Sequence, residues 1–198
     1  MEKSWPMWLG LVLGLGAIGA GLAFWPTPEL QWSAATRYSA RIGFPLLILT
    51  YSARPLFDLT HSDWARSILA RRKWIGLGFA MSHSVHLVAI VTLFRLRGEV
   101  PETVTIIGGG FAYVLLYAMA LTSNRRAMQA LGRWWKRLHL LGIHYLWFIF
   151  AQSYLGRIFR EGTEFEGAMG LTIALAAAGL RAAAWVRKRN LRKVAVAS

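Results

Sequence analysis

Trp74–Phe94, WIGLGFAMSHSVHLVAIVTLF, holds twenty-one residues with no side chain charged at neutral pH, yet includes His83 and His86. Crossing ~30 Å of hydrocarbon takes about 20 apolar residues in a helix. A histidine there has no water to satisfy it, so it marks a functional site with a partner on another helix. A second stretch, Leu138–Leu155, LHLLGIHYLWFIFAQSYL, repeats the pattern with His139 and His144. Four of the five histidines thus fall in two apolar stretches. The fifth, His61, sits in the polar segment HSDWARS and reads as solvated. Imidazole is the side chain best suited to hold a haem iron, so two histidine-bearing helices suggest a membrane b-type cytochrome.

The rest of the chain fits a bilayer. Of 198 residues, 56% are hydrophobic, and ten Trp, ten Phe and six Tyr are present. The apolar residues fall into six blocks: 7–25, 32–51, 74–94, 103–122, 138–155 and 168–185. The expected fold is all-α: a polytopic bundle of six transmembrane helices in one domain, 1–198, with haem between the third and fifth spans. The first block is longer than a signal-peptide core and reads as a retained span rather than a removed leader. The block 32–51 is the weakest, with Arg37, Arg41 and Pro45 inside it. Arg181, near the end of the sixth, reads as snorkelling to the interface. No segment between blocks is long enough for a separate folded domain, so an electron donor or acceptor is expected to be another molecule.

A net charge of +14 could point to nucleic acid, but its placement argues against that. The cations cluster between the apolar blocks and at the C-terminal end, as positive-inside sorting requires. One set of loops holds Lys3, Arg54, Arg66, Arg71, Arg72, Lys73, Arg125, Arg126, Arg133, Lys136 and Arg137. Arg187, Lys188, Arg189, Arg192 and Lys193 fall on the same side. The opposite loops mix arginines with Glu99, Glu102, Glu161, Glu164 and Glu166. Both termini are therefore expected in the cytoplasm of a bacterial inner membrane. Without cysteine, the chain has no thiolate ligand for haem or cluster.

Spans three and five run in the same direction in this topology. At ~1.5 Å per residue, His83 and His144 then lie at about 13 Å from their respective tryptophan entry points, Trp74 and Trp135. His83 and His86 point within about 60° of each other, whereas His139 and His144 diverge by about 140°. Only one of that second pair can readily face the haem. Arg71 and Arg72, at the mouth of span three, report topology or pair with haem propionates, a quinone head or a flavin phosphate. The glycines of span one and Gly108–Gly110 suit close helix packing, with room for a flat macrocycle as the other reading. GLGLGAIGAG follows no strand, so it is not a phosphate loop.

Thr122–His139, TSNRRAMQALGRWWKRLH, resembles the join between spans four and five in the haem-binding membrane subunits of periplasmic methionine sulfoxide reductase systems. Those subunits belong to the ferric-reductase-like transmembrane superfamily. The matching elements are Thr122-Ser123, Met128-Gln129, Leu131-Gly132, Trp135 and Leu138-His139. Upstream, Ser52-Ala53-Arg54, Arg71-Arg72, Gly76-Leu77, Phe79 and His86-Leu87 also fit, and the resemblance covers roughly 37–154. It implies a six-helix cytochrome b with haem b; FMN or a quinone is the further cofactor that the Arg71 and Arg72 reading leaves open. It also implies a redox partner, either a periplasmic reductase or a cytoplasmic flavin reductase. By this route His86 and His139 occupy ligand positions. The family commonly has a histidine thirteen residues after the first in span five, at the height of the span-three ligand; here Gln152 stands there.

The competing class is a metal-ion or proton transporter with His83, His86, His139 and His144 as relay or ligands. Against it, no Asp or Glu lies within blocks three to six. A third reading is an assembly subunit whose histidines only join helices.

Overall fold

The computed structural model describes residues 4–197; Lys3, used above for orientation, lies outside them. Among the described residues the structure is entirely helical: α1 (Trp5–Ala23), α2 (Pro28–Thr60), α3 (Asp63–Arg97), α4 (Thr103–Leu121), α5 (Arg125–Leu131), α6 (Arg133–Ile158) and α7 (Glu164–Ala197). Each expected block falls on one long helix, except that α1 closes at Ala23, two residues before its block ends, and α4 at Leu121, one residue before. α1, α3, α4 and α7 hold an apolar stretch long enough to cross a membrane. α2 and α6 are as long, at 33 and 26 residues, but carry more polar side chains, Arg37 and Arg41 in α2 and the histidines and Gln152 in α6.

Local chemistry sets the boundaries. Thr27 caps α2, its hydroxyl accepting from Leu30 N–H, and Pro28 occupies the first turn, where a missing N–H costs nothing. His61 ends α2 in the left-handed region at φ 51°, its N–H donating to Phe57 O. The loop histidine is thus a helix C-cap. Asn124 caps α5 by accepting from Ala127 N–H at 2.8 Å.

α1, α2 and α3 form the tightest group. Gly10 and Gly78 meet backbone to backbone, and a Cβ on either would strike the other helix. Gly14 lies against Ser82 in the same interface, and Gly21 against Ala35 of α2. The packing reading therefore holds for three glycines of α1. It does not hold for α4: Gly109 and Gly110 have nothing within 4 Å of a built Cβ, and Gly108 has only the Tyr145 hydroxyl at 3.9 Å.

α6 packs on α7 and α4, and more lightly on α2. Yet no Cα of α3 comes within 8 Å of a Cα of α6. Side chains and a cavity fill the gap. At one level Phe150 of α6 reaches Phe79 and His83 of α3, with ring centroids 6.1 and 5.3 Å apart. The outer faces of the helices are apolar, with Val104 76%, Ile107 67% and Val114 62% exposed. Such a surface suits lipid rather than water.

Candidate functional site: a histidine-walled cavity between α3, α4 and α6

A cavity of about 680 Å³ lies between α3, α4 and α6, with Arg125 and Met128 of α5 also on its lining. That volume falls within the ~300–1,000 Å³ of cofactor pockets. Phe79 and Ala80 line it from α3, Leu116 and Met119 from α4, and Ile143 and Leu146 from α6. Basic side chains surround this apolar interior.

His139 is the one histidine among the lining residues. Its Nδ1 lies 3.0 Å from Trp135 O. A carbonyl can only accept, so Nδ1 carries the proton and Nε2 carries the lone pair. That Nε2 is buried and has no hydrogen-bond partner. The Trp135 indole stacks on the imidazole at 4.0 Å and donates through Nε1 to Thr122 O at 3.0 Å. The ring is thereby fixed to the turn between α4 and α5. A ring fixed through Nδ1–H, with a bare Nε2, is how proteins present a metal-ligating histidine.

The other three histidines of the two apolar blocks stand elsewhere. His83, 7% exposed, lies outside the cavity against its Phe79 wall, ring centroids 4.4 Å apart, and its Nδ1 is a buried atom without a partner. The backbone of Gly43 packs so closely on this ring that a Cβ there would overlap it. His86, one turn on, has its ring centroid 5.1 Å from that of His83. Its Nδ1 is 2.9 Å from Ser39 Oγ. Ser39 Oγ also lies 2.7 Å from Ala35 O, so the pair ties α3 to the backbone of α2. His144 does not reach α3; its ring lies edge-on to Tyr51 of α2 at 5.4 Å, and its Nδ1 is 2.7 Å from Leu140 O.

The expected shared level of His83 and His144 is therefore not what the structure shows. α6 meets His83 at Phe150, six residues beyond His144, or about 9 Å along a helix. Counting from the tryptophans failed because Trp74 lies eleven residues into α3 and Trp135 two residues into α6. The level of His86 then falls near Gln152 and Tyr154, in keeping with the register inferred from the resemblance. Gln152 is exposed, and Tyr154 is buried against Phe44.

The arginines separate as well. Arg71 bonds to Ser67 on its own exposed face. Arg72 lines the cavity, its Nε donating to Thr50 O at 3.0 Å. Arg181 of α7, expected to snorkel outward, also lines the cavity; it donates to Tyr51 O at 2.9 Å and lies over the Tyr51 ring at 4.5 Å.

At the far end, Glu166 pairs with Arg41 and Arg157. The Arg41 hydrogen bonds hold the Glu166 carboxyl below the usual carboxylate range. Among the described residues no three His, Cys, Asp or Glu side chains converge as a metal site.

Helix architecture and a lipid-suited apolar surface define an integral membrane protein of the all-α class, with a histidine-lined cavity among its helices. The chain is 32% identical over 146 residues to the protein-methionine-sulfoxide reductase heme-binding subunit MsrQ of Xanthomonas campestris pv. campestris (strain B100), covering 70% of this chain and 61% of the relative. It is 28% identical over 156 residues to MsrQ of Yersinia pseudotuberculosis serotype O:1b (strain IP 31758), covering 71% of each. MsrQ of Yersinia pestis (strain Pestoides F) matches at 28% identity, with 71% of this chain and 70% of the relative covered. The chain thus spans less than two thirds of the Xanthomonas relative's length. The resemblance read in the motifs is a family-level likeness across about 70% of the chain. No family profile matches the chain, and no solved structure matches it.

Proposed function

We propose that the chain is a haem-b electron-transfer subunit of a membrane oxidoreductase, with the cavity between α3 and α6 as the haem site and His139 as the residue that would hold the iron. The observation that carries this is His139, a residue of the wall of a cofactor-sized cavity whose Nε2 is buried without a hydrogen-bond partner. The apolar lining suits a macrocycle, the basic rim suits its carboxylates, and the relatives are named as heme-binding subunits. When bound, the haem supplies one-electron chemistry at its iron.

The protein's own part is to hold and insulate. Trp135 fixes the His139 ring, and the α4 and α6 side chains keep the site apolar. Phe79, His83 and His86 make a contiguous run of rings that leads from the cavity wall about two turns along α3. We assign that run as the outward electron route, with His86 and His83 as the outer iron-ligating or relay group. Six helices, α1–α4, α6 and α7, cross the inner membrane as one domain, with both termini cytoplasmic. Electrons enter from a cytoplasmic flavin reductase, FMN or a quinol near Arg71 and Arg72. They leave to a periplasmic reductase.

The transporter reading lacks a converging ligand set, since the four histidines lie in three separate places. The deciding experiment is the redox difference spectrum of the purified chain. Wild type is expected to show a dithionite-reducible haem band that His139→Ala loses; a colourless wild type, or an unchanged band in the variant, overturns the assignment.

A further inference from the structure

Pro55 lies inside α2 and has no N–H, so the carbonyl four residues earlier, Tyr51 O, loses its helical donor. Arg181 supplies a replacement from α7. One residue before, Thr50 O accepts from Arg72 of α3. Two guanidinium groups from two helices are thus anchored on consecutive carbonyls beside one proline, and both line the same cavity.

Each arginine has five N–H donors, and the carbonyl anchors use one apiece. None of the ion pairs found among the described residues includes Arg72 or Arg181. The cavity lining holds five basic side chains, Arg72, Lys73, Arg125, Lys136 and Arg181, and no acidic one among the described residues. Positive-inside sorting accounts for cations in the loops, such as Arg125. It does not account for Arg181, seventeen residues into α7 and turned inward onto Tyr51. Partly buried cations without a protein anion need one from elsewhere.

The geometry points to a paired-arginine clamp, Arg72 with Arg181, that grips an anionic carboxylate or phosphate group on the occupant of this cavity. It deepens the haem reading above and rests on it for the occupant's identity. Pro55 sets the clamp by freeing a carbonyl. Tyr51 steadies it from beneath the Arg181 guanidinium, and His144, edge-on to Tyr51, supports that ring. Arg181 and Arg72 bind the ligand directly.

The test compares ligands that differ only in the anion. The full chain in detergent, stripped of cofactor, is titrated with hemin against hemin dimethyl ester, and with FMN against riboflavin. Wild type is expected to favour the anionic member of one pair by about tenfold to a hundredfold, the scale of a charge-assisted hydrogen bond. Arg181→Gln and Arg72→Gln should each remove most of that preference, and Arg181→Lys should restore part of it. Preference in the hemin pair identifies a carboxylate, and preference in the FMN pair a phosphate. Absence of preference in both pairs for wild type overturns the clamp, and needs no variant to fold. So does a variant that keeps the full preference and only unfolds at lower temperature, which would make Arg181 a tether. If wild type binds neither porphyrin but prefers FMN, the haem reading fails while the clamp stands.

Discussion

The indole of Trp135 stacks on the imidazole of His139 at 4.0 Å, one turn apart on α6, while Trp135 O holds the same imidazole's Nδ1 at 3.0 Å. One residue thus sets both the plane of the ring and its tautomer. Replacing Trp135 by Leu keeps the carbonyl but removes the stacking and the Nε1 bond to Thr122 O. We predict that haem content falls about twofold to tenfold and the reduced band broadens, by absorbance of the purified variant. An unchanged spectrum would mean that the ring needs no such support.

Gly43→Ala should be costly at a position with no chemistry of its own. The added methyl group overlaps the His83 ring, which is held on its other sides by Phe79 and Phe150. Overpacking of this kind costs about 1–3 kcal/mol. Unfolding in mixed micelles should register that loss, and Gly109→Ala, which meets open space, should not.

Ser39→Ala removes the hydroxyl that hydrogen-bonds His86 Nδ1 between α2 and α3, at a serine that is fully buried. The cost is about 1–3 kcal/mol of stability. Ser39→Thr should recover part of it by restoring a hydroxyl; equal loss in both variants would point to packing alone.

The Arg41–Glu166–Arg157 cluster ties α2, α6 and α7 together at the end away from the cavity's basic rim. Glu166 is depressed in the folded state, chiefly by the Arg41 hydrogen bonds. Its stabilising contribution is therefore complete above the usual carboxylate range and is lost as pH falls through the depressed value. Glu166→Gln should lower stability by about 1 kcal/mol at neutral pH. It should also flatten the acid limb of an unfolding-against-pH curve; an acid limb of unchanged slope would show that other carboxylates set it.

The helices were legible because a lipid-facing surface demands long apolar blocks, and each block lies on a helix. Their ends were less so: α2 and α3 run into charged sequence beyond the apolar part, where hydropathy is silent and only caps such as Thr27 mark a boundary. The short α5 has no apolar run; Asn124 before it and Gly132 after it, at φ 49°, were the available signals. The divergence of His139 and His144 followed from helical geometry, and one of them does face the cavity while the other faces Tyr51. Relative depth did not follow, since it depends on how far each helix extends past its tryptophan. Nor did the inward turn of Arg181, which needs the α2 proline and its free carbonyl. That pairing across 130 positions leaves no local pattern in the sequence.

The most direct test is ligand rescue at His139. In His139→Gly the cavity would lose its imidazole, and haem content by pyridine haemochrome should fall to near zero. Imidazole added to the purified variant with hemin should restore a wild-type-like reduced band, while His144→Gly should retain its haem without any addition. Full haem in His139→Gly without imidazole, or loss confined to His144→Gly, would contradict the placement of the iron in this cavity.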